Sequence, residues 1–292
     1  MRGATKRALL VASVLALCGV LLSATAASAD SSGGDRGDQK TFVCSGTPQA
    51  PGTIAPGTYG SVRVTGLCAV HGLVNIKGSL TIAQGAGLDA TNDCNAHVNV
   101  GDGIRVLRDG ILFFGNSFHD LGGGVTGGTD CAVNSNNIVH GGLESFNALA
   151  VVVHGSIIDD GVSLHGGGGG TSCAPVPGLP FPAFSTLEDS RINDGLSITG
   201  LSTCWLGTIH NQINGGVKIA NNVLGDTDAI EFGANTIHGI VVCFGNHLDP
   251  SVPPDLIPAD HAPNGAPTNF FDGLGPFPNN VNGKELGQCA GQ

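Results

Sequence analysis

Residues 62–88 read VRVTGLCAVHGLVNIKGSLTIAQGAGL, and an apolar side chain recurs in this stretch at every sixth position. Another apolar residue often lies two positions earlier, and glycines lie between the apolar pairs. Alternation with period two is typical of a strand, and strands this short cannot form a flat sheet. The pattern therefore predicts a coil in which three short strands make one turn and successive turns stack. The six-residue series comprises Val64, Val70, Ile76, Ile82, Leu88, Cys94, Val100, Val106, Leu112 and Phe118.

A five-residue motif continues the repeat in the second half of the chain. It consists of Asn or Ser, any residue, an apolar residue, then His, Asp or Asn, and finally Asp or Gly. If each copy marks one rung of the coil, the fourth positions stack as a column of turn residues, because Asn, Asp and His tolerate left-handed backbone and Asn and Asp also bond nearby backbone groups. The predicted column is His119, His140, Asp159, Asn193, Asn214 and His238.

These repeats predict an all-β fold, a single-stranded parallel β-helix of about ten rungs that spans residues 43–248. At a strand spacing of about 4.8 Å the rod would be on the order of 45 Å long. A glycine run and a proline-rich run predict an excursion loop at about residues 166–183. Residues 30–42 are predicted to form a flexible lead, and residues 249–292 an irregular tail or cap rich in Pro, Asn and Gly.

Residues 1–29 have the pattern of a secretory signal peptide. Arg2, Lys6 and Arg7 precede an apolar run, and small residues end in Ala-Ser-Ala at Ala29. We predict cleavage after Ala29 and secretion of the remaining chain. The apolar run is short for a membrane span of roughly 20 residues, and no later run is long enough, so no membrane span is predicted in the mature chain.

Charge and cysteine content narrow the function classes. The formal net charge is −11, which excludes a surface that neutralises nucleic-acid phosphates. An exported chain with an even number of cysteines predicts disulfides, and the spacings do not fit a zinc site. Neighbours along the chain, such as Cys44 and Cys68, are natural partners in a coil whose rungs touch only adjacent rungs. The predicted disulfide cysteines are Cys44, Cys68, Cys94, Cys131, Cys173, Cys204, Cys243 and Cys289.

The segment from Cys44 to Leu88 resembles secreted actinobacterial proteins of unknown function that carry right-handed parallel β-helix repeats. The resemblance rests on a first cysteine, the V-x-V strand at Val62–Val64, the second cysteine Cys68, and the G-x-V-x-V and G-A-x-L patterns that follow. The rungs are also similar to those of bactofilins, although bactofilins are cytosolic and polymerise. The resemblance implies a right-handed coil and supplies no activity.

Several acidic residues offer an enzymatic alternative. Fragments of the sequence are similar to polygalacturonase motifs, although their order and spacing differ: Asp226 replaces the Asn of N-T-D, and Leu164 precedes the candidate histidine. The candidate catalytic residues are Asp159, Asp160, His165, Asp226 and Asp228. A polysaccharide lyase would place Arg191 or Lys218 beside calcium, yet no calcium loop is evident.

The sequence therefore favours a secreted, disulfide-stabilised β-helical protein without enzymatic activity, with an envelope, matrix or adhesion-like role. The expected partner is a cell-wall or extracellular polysaccharide or another surface protein, with no nucleic acid, cofactor or metal. The alternative is a carbohydrate-active enzyme, a polygalacturonase-like hydrolase or a polysaccharide lyase, that acts in a groove along the rod.

Overall fold

The computed structural model describes residues 40–91, 95–116, 135–177, 181–226, 230–252, 267–269 and 276–291. The predicted signal peptide and all but the last three residues of the predicted lead lie outside these segments. So do Cys94, His119, Cys131 and Asp228. Every regular element that the structure defines within the described segments is a β-strand.

Most strands belong to three long sheets, which we name face one, face two and face three. Face one has ten strands: β1 (Phe42–Cys44), β4 (Val62–Val64), β7 (Leu80–Ile82), β10 (Ile104–Val106), β13 (Leu143–Phe146), β16 (Val162–His165), β19 (Leu196–Thr199), β23 (Val217–Ala220), β27 (Val241–Phe244) and β31 (Glu285–Gly287).

Face two has nine strands: β2 (Gly52–Ile54), β5 (Leu67–Val70), β8 (Gly87–Ala90), β11 (Ile111–Phe114), β14 (Ala150–His154), β17 (Phe184–Glu188), β21 (Trp205–Ile209), β25 (Ile230–Gly233) and β29 (Pro267–Thr268). Face three also has nine: β3 (Gly57–Tyr59), β6 (Leu73–Ile76), β9 (His97–Val100), β12 (Asn137–Val139), β15 (Ser156–Ile158), β18 (Arg191–Ile192), β22 (Gln212–Ile213), β26 (Thr236–Ile237) and β30 (Asn280–Val281). A fourth, short sheet contains β20 (Ser202–Thr203), β24 (Val223–Leu224) and β28 (His247–Leu248).

The chain visits faces one, two and three in turn, and each strand pairs in parallel with its counterpart one turn earlier and one turn later. This arrangement confirms the predicted parallel β-helix. One turn of the coil, or rung, contributes one strand to each face. The right-handedness implied by the resemblance stays a prediction.

Alternate side chains of each strand fill the interior of the coil. Val64, Ile82 and Val106 are in register on face one and have no more than 1% of their surface exposed. Burial of each such aliphatic side chain stabilises the fold by about 1.5–3 kcal/mol. The core is therefore a continuous apolar column along the rod axis.

The six-residue series predicted which residues face inward but not how they stack. It pairs Val70 with Leu88, whereas Leu88 is in register with Cys68 on face two. Two extra residues in the turn after β7 cause this offset, and Gly85 in that turn has a φ of 68°. An even insertion leaves the inward and outward positions unchanged, because the period of a strand is two.

The step from residue 116 to residue 137 is not a rung, contrary to the motif spacing. β11 ends at Phe114 and β12 begins at Asn137, and the two are consecutive strands of one turn. Asn116 and Ser135 bond each other through their backbones, 2.9 Å from Ser135 N to Asn116 O, at the base of the intervening segment. The motif copy at Asn116 is therefore an extra segment between faces two and three.

The coil also extends beyond residue 248. β29, β30 and β31 lie in the segment predicted as an irregular tail, and they add one strand to each face. The prediction stopped too early because long connections separate these strands and hide their alternation. A tight turn follows β31 and places Cys289 in the core, where it is wholly buried.

Three disulfides join cysteines that are neighbours among the described residues. Cys44–Cys68 lies at the start of the coil and Cys243–Cys289 at its end. Cys173–Cys204 ties the segment between β16 and β17 to the rod. This segment, at the predicted excursion, begins with a glycine run in which all five residues have positive φ. The backbone N–H of Gly168 anchors the run by donating to Ala148 O at 2.7 Å.

Two columns of mostly buried polar side chains, nearly all of them amides, connect the rungs at the corners of the coil. In the first, between faces two and three, backbone N–H groups donate to the side-chain oxygen of the next rung: Val98 to Asn137, Ser156 to Ser190, Ser190 to Asn211, Asn211 to Asn235, and Asn235 to Asn279. In the second, Leu201 donates to Asn222, Asn222 to Asn246, and Asn246 to Gln288. We name these the first and second amide ladders.

A left-handed residue precedes most of the ladder amides. His210 before Asn211 has a φ of 54°, and Asn221 before Asn222 has a φ of 56°. This backbone conformation turns the chain sharply at the corner, so the backbone N–H groups there have no strand partner. The side-chain oxygen of the ladder residue in the adjacent rung accepts the hydrogen bond from that N–H group.

Candidate functional site

An aromatic cluster covers the middle of face two. Phe113, Phe181, Phe184 and Trp205 lie with ring centroids 5.2–6.5 Å apart on the outside of this face. Every residue of β14 beneath them is buried, including the outward-pointing His154. The cluster therefore acts as a second, outer core on this side of the rod.

Face one is open, and its outward side chains form two columns. Leu143 and Ser145 of β13 are buried, so Glu144 and Phe146 point outward, and the same alternation holds in β16 and β19. In β23 Lys218 is exposed, whereas Ala220 has the outward position in register but is buried. Register places Glu144, Ser163, Ser197, Lys218 and Val242 in one column. The second column contains Phe146, His165, Thr199, Ala220 and Phe244.

Glycines border the first column at the corner between faces three and one. Gly142, Gly161, Gly195 and Gly216 immediately precede the four strands from β13 to β23. A Cβ at Gly195 would lie 2.6 Å from the carbonyl oxygen of Gly216, and its φ is 87°. A Cβ at Gly142 would lie 2.8 Å from the carbonyl oxygen of Gly161. Close stacking of the turns requires glycine here and leaves this margin without side chains.

Small residues on the floor and glycines at the margin together create a shallow depression of about 640 Å³. We name it the face-one trough. Ser163 and Ser197 form its floor, and Glu144 and Lys218 lie at opposite ends of that floor. Asp160 and Asp194 stand at equivalent positions of successive rungs along its glycine margin.

The charged groups of the trough differ in how they are held. Arg105 Nε lies 3.4 Å from Glu144 Oε2, and both side chains are substantially exposed. Lys218 Nζ lies 5.7 Å from the ring centroid of Phe244, a cation–π distance. With Glu144 balanced by Arg105, two carboxylates and one ammonium remain in the trough, so it has a mildly negative charge.

The turn column predicted from the motif lies beside the trough, but its described residues lack the left-handed backbone that the prediction assumed, which belongs instead to the residues before the ladder side chains. Register gives His140, Asp159, Asn193, Asn214 and His238 equivalent positions. His140 Nδ1 lies 2.8 Å from Asp159 Oδ2, Asn193 Nδ2 donates to Asp159 Oδ1 at 3.2 Å, and Asn214 Nδ2 donates to Asn193 Oδ1 at 2.9 Å. His119 lies outside the described residues.

The candidate catalytic residues lie in different parts of the rod. Asp159 bonds its neighbours in the turn column, whereas Asp160 lines the trough. His165 is at the far end of β16, about 16 Å along an extended chain from Asp160, and its Nδ1 lies 3.0 Å from Thr199 Oγ1. Asp226 follows β24 at another corner, and Asp228 lies outside the described residues. The polygalacturonase-like combination is therefore not brought together among the described candidates.

One group of three metal-ligating side chains comes together in the described segments. Ligand atoms of Cys173, Cys204 and Asp226 lie within 4.8 Å of one another. The two sulfurs form a disulfide, and a metal needs thiolate sulfur. In the oxidised protein this group therefore anchors the excursion and does not chelate.

Sequence reasoning missed the trough and the first amide ladder. The ladder residues Asn137, Ser156, Ser190, Asn211 and Asn235 occupy the first position of the same motif whose fourth position forms the turn column. Because that first position is always Asn or Ser, the sequence could have indicated a stacked column of polar side chains there. The serine floor of the trough gave no comparable signal, because it depends on register between rungs of unequal length.

Comparison of the chain with protein-family models, with curated proteins and with solved structures finds no match. In the described part of the chain, no helix has the length and apolar character needed to cross a membrane. The fold and the geometry of the trough are therefore the basis for assigning a function.

Proposed function

We propose that this protein is a non-enzymatic extracellular rod that binds an envelope or matrix polymer through the face-one trough. The observation that carries the proposal is the trough itself, an open surface across four rungs with hydroxyl, carboxylate and ammonium groups at regular intervals. An open, elongated surface suits a polymer, whereas small-molecule sites are concave and enclosed.

An extracellular location is supported by the sequence and by the disulfides. Residues 1–29 have the pattern of an export signal, and three cysteine pairs are oxidised. Two of the pairs lie at the two ends of the described coil, where an open solenoid is most exposed to fraying.

The hydrogen bonds of the turn column support a non-enzymatic role. His140, Asp159, Asn193 and Asn214 direct polar atoms at one another between rungs. A general base must reach a substrate proton with its lone pair. Groups that are bonded along the rod in this way contribute to stacking of the turns.

One observation favours a carbohydrate-active enzyme as the second candidate. Asp160 and Asp194 occupy equivalent positions of successive rungs, about 4.8 Å apart along the rod. In retaining glycosidases the two carboxyl groups are about 5–5.5 Å apart, with one as nucleophile and the other as acid and base. The backbones that carry this carboxylate pair are therefore spaced closely enough for the side chains to reach the separation of a retaining site.

Turnover and binding can be measured on the same polymers. Release of reducing ends from glucan, mannan, xylan, pectin and alginate tests for an enzyme, and co-sedimentation with the insoluble forms tests for binding. We expect binding without release. Release that is lost in both Asp160→Asn and Asp194→Asn would overturn the non-enzymatic proposal in favour of the glycosidase.

A further inference from the structure

We propose that the face-one trough takes a neutral, extended polysaccharide with one sugar per rung, and that it discriminates against polyuronates. The inference rests on the proposed function, because it names the polymer that the trough would bind. It concerns the spacing, chemistry and charge of the residues in the trough.

The spacing of the trough favours a sugar chain over a peptide. Equivalent positions on the floor and margin recur once per rung, about every 4.8 Å, and the two middle rungs repeat the same serine and aspartate. A pyranose ring with its linkage in an extended chain advances by about the same distance. An extended peptide advances by about 3.3 Å per residue and repeats its side-chain direction about every 6.6 Å, and neither period matches the rung spacing.

The lining of the trough suits hydroxyl groups. Ser163 and Ser197 each offer one donor and two acceptors, Asp160 and Asp194 accept, and Lys218 donates. A sugar hydroxyl donates one hydrogen bond and accepts others, so a neutral sugar on either of the two middle rungs finds both kinds of partner. None of the five side chains needs a charged ligand to be satisfied.

Two exposed aromatic rings flank the binding path on the same face. Phe146 is 47% exposed and Phe244 is 44% exposed, although this protein has few aromatic residues. Register separates them by four rungs, or about 19 Å. Exposed rings are platforms for the apolar faces of sugars, so these two would contact a chain of about four to five sugars near its ends.

Charge distinguishes the neutral polymer from an acidic one. A polyuronate carries one carboxylate per sugar and would place several of them beside Asp160 and Asp194 on successive rungs. Lys218 offers a single compensating charge at one end of the floor. Neighbouring carboxylates repel one another, and salt weakens the repulsion between exposed groups.

Isothermal titration of the full mature chain with its disulfides intact tests the inference. The ligands are hexamers of β-1,4-linked glucose, mannose and xylose, the hexamer of galacturonate, the hexamer of glucosamine, and hexalysine. We expect at least one neutral hexamer to bind, and galacturonate to bind at least tenfold more weakly in 50 mM salt. Higher salt should reduce the difference in affinity between the neutral and the galacturonate hexamers. The double variant Asp160→Asn, Asp194→Asn should bind galacturonate more tightly than the unmodified protein does.

Matched substitutions locate the binding surface. Ser197→Trp fills the trough and should weaken neutral-hexamer binding at least tenfold, whereas Thr81→Trp, outward on the same face beyond the trough, should not. Phe244→Ala should weaken binding severalfold, whereas Leu73→Ala, which removes an exposed apolar side chain from face three, should not. Thermal unfolding of each variant confirms that it is folded.

The outcomes separate the inference from the function on which it rests. If galacturonate, glucosamine or hexalysine binds in the trough and no neutral hexamer does, the neutral-polysaccharide inference is overturned and the binding function stands. If none of the ligands binds, the proposed binding function is overturned together with the inference. Binding that Ser197→Trp leaves unchanged would also overturn the inference, because the ligand would then lie elsewhere.

Discussion

Replacement of Asn211 by alanine tests the first amide ladder. The Oδ1 atom of Asn211 accepts from the backbone N–H of Ser190 at 3.0 Å. Its Nδ2 donates to the carbonyl oxygen of Leu187 at 2.8 Å and to Asn235 Oδ1 at 3.1 Å. The side chain is 2% exposed, so water cannot replace these partners without opening the corner.

The expected loss of stability follows from the groups that lose a partner. Asn211→Ala leaves the buried N–H of Ser190 without an acceptor and removes a donor from the carbonyl of Leu187. A buried polar group that is left unpaired costs about 1–3 kcal/mol. We therefore expect a loss of about 2–4 kcal/mol, which for a domain of this size lowers the melting temperature by roughly 5–15 °C.

Asn214 provides the matched control, because it lies three residues later in the same motif. Its Nδ2 donates to Asn193 Oδ1 at 2.9 Å, but the pair is only partly buried and water can replace it. Asn214→Ala should therefore change stability by less than about 0.5 kcal/mol. Urea unfolding of the oxidised chain measures both values. Equal losses in the two variants, or a loss below about 1 kcal/mol for Asn211→Ala, would refute the ladder argument.

Three further outcomes are expected. Reduction of the three described disulfides, which close loops of 24, 31 and 46 residues, should lower the melting temperature because each contributes about 2–4 kcal/mol; an unchanged melting temperature would contradict this. Gly195→Ala should destabilise the fold by about 1–3 kcal/mol, because the residue has a positive φ and the added Cβ would clash with the carbonyl oxygen of Gly216 in the next rung. Gly85→Asn is the control in the same unfolding assay and should be tolerated, because there is open space around Gly85. Hydrogen bonds from the Ser251 side chain, then from Thr171, lower the pKa of Asp249 from 3.8 to about 2. The stability from this carboxylate is therefore present above pH 4 and lost as the pH falls toward 2, and Thr171→Ala should raise the pKa measured by NMR titration.

Alternation in the sequence was sufficient to predict the class of fold and the inward residues. Val64, Ile82 and Val106 face the core as predicted, because the side-chain period of a strand is local. Stacking between rungs is not local, since it depends on how many residues each turn contains. When a turn gains an even number of residues, the alternation continues unchanged, so the pattern does not reveal the shift in stacking. Leu88 is an example, because it stacks on Cys68 and not on Val70.

The candidate site was harder to predict for the same reason. Ser163 and Ser197 are unremarkable in sequence and lie 34 residues apart, with the excursion between them. They become neighbours only because the chain returns to face one in register after that excursion. Asp160 and Asp194 both occupy the fifth position of the motif, so their equivalence could be predicted from the sequence, whereas their place beside the two serines could not.

The end of the second amide ladder has a consequence for how the last described rung is held. At each inner step an asparagine accepts from one rung and its own backbone N–H donates to the next. Gln288 instead returns its Nε2 hydrogen bond, at 2.8 Å, to the carbonyl of Asn246, the residue whose N–H it accepts at 2.9 Å. The longer amide thus closes a ring with its neighbour, and its own backbone N–H donates to the carbonyl oxygen of Cys243 at 2.7 Å. A single side chain therefore holds the last described rung of face one to the rung before it through both of its polar atoms.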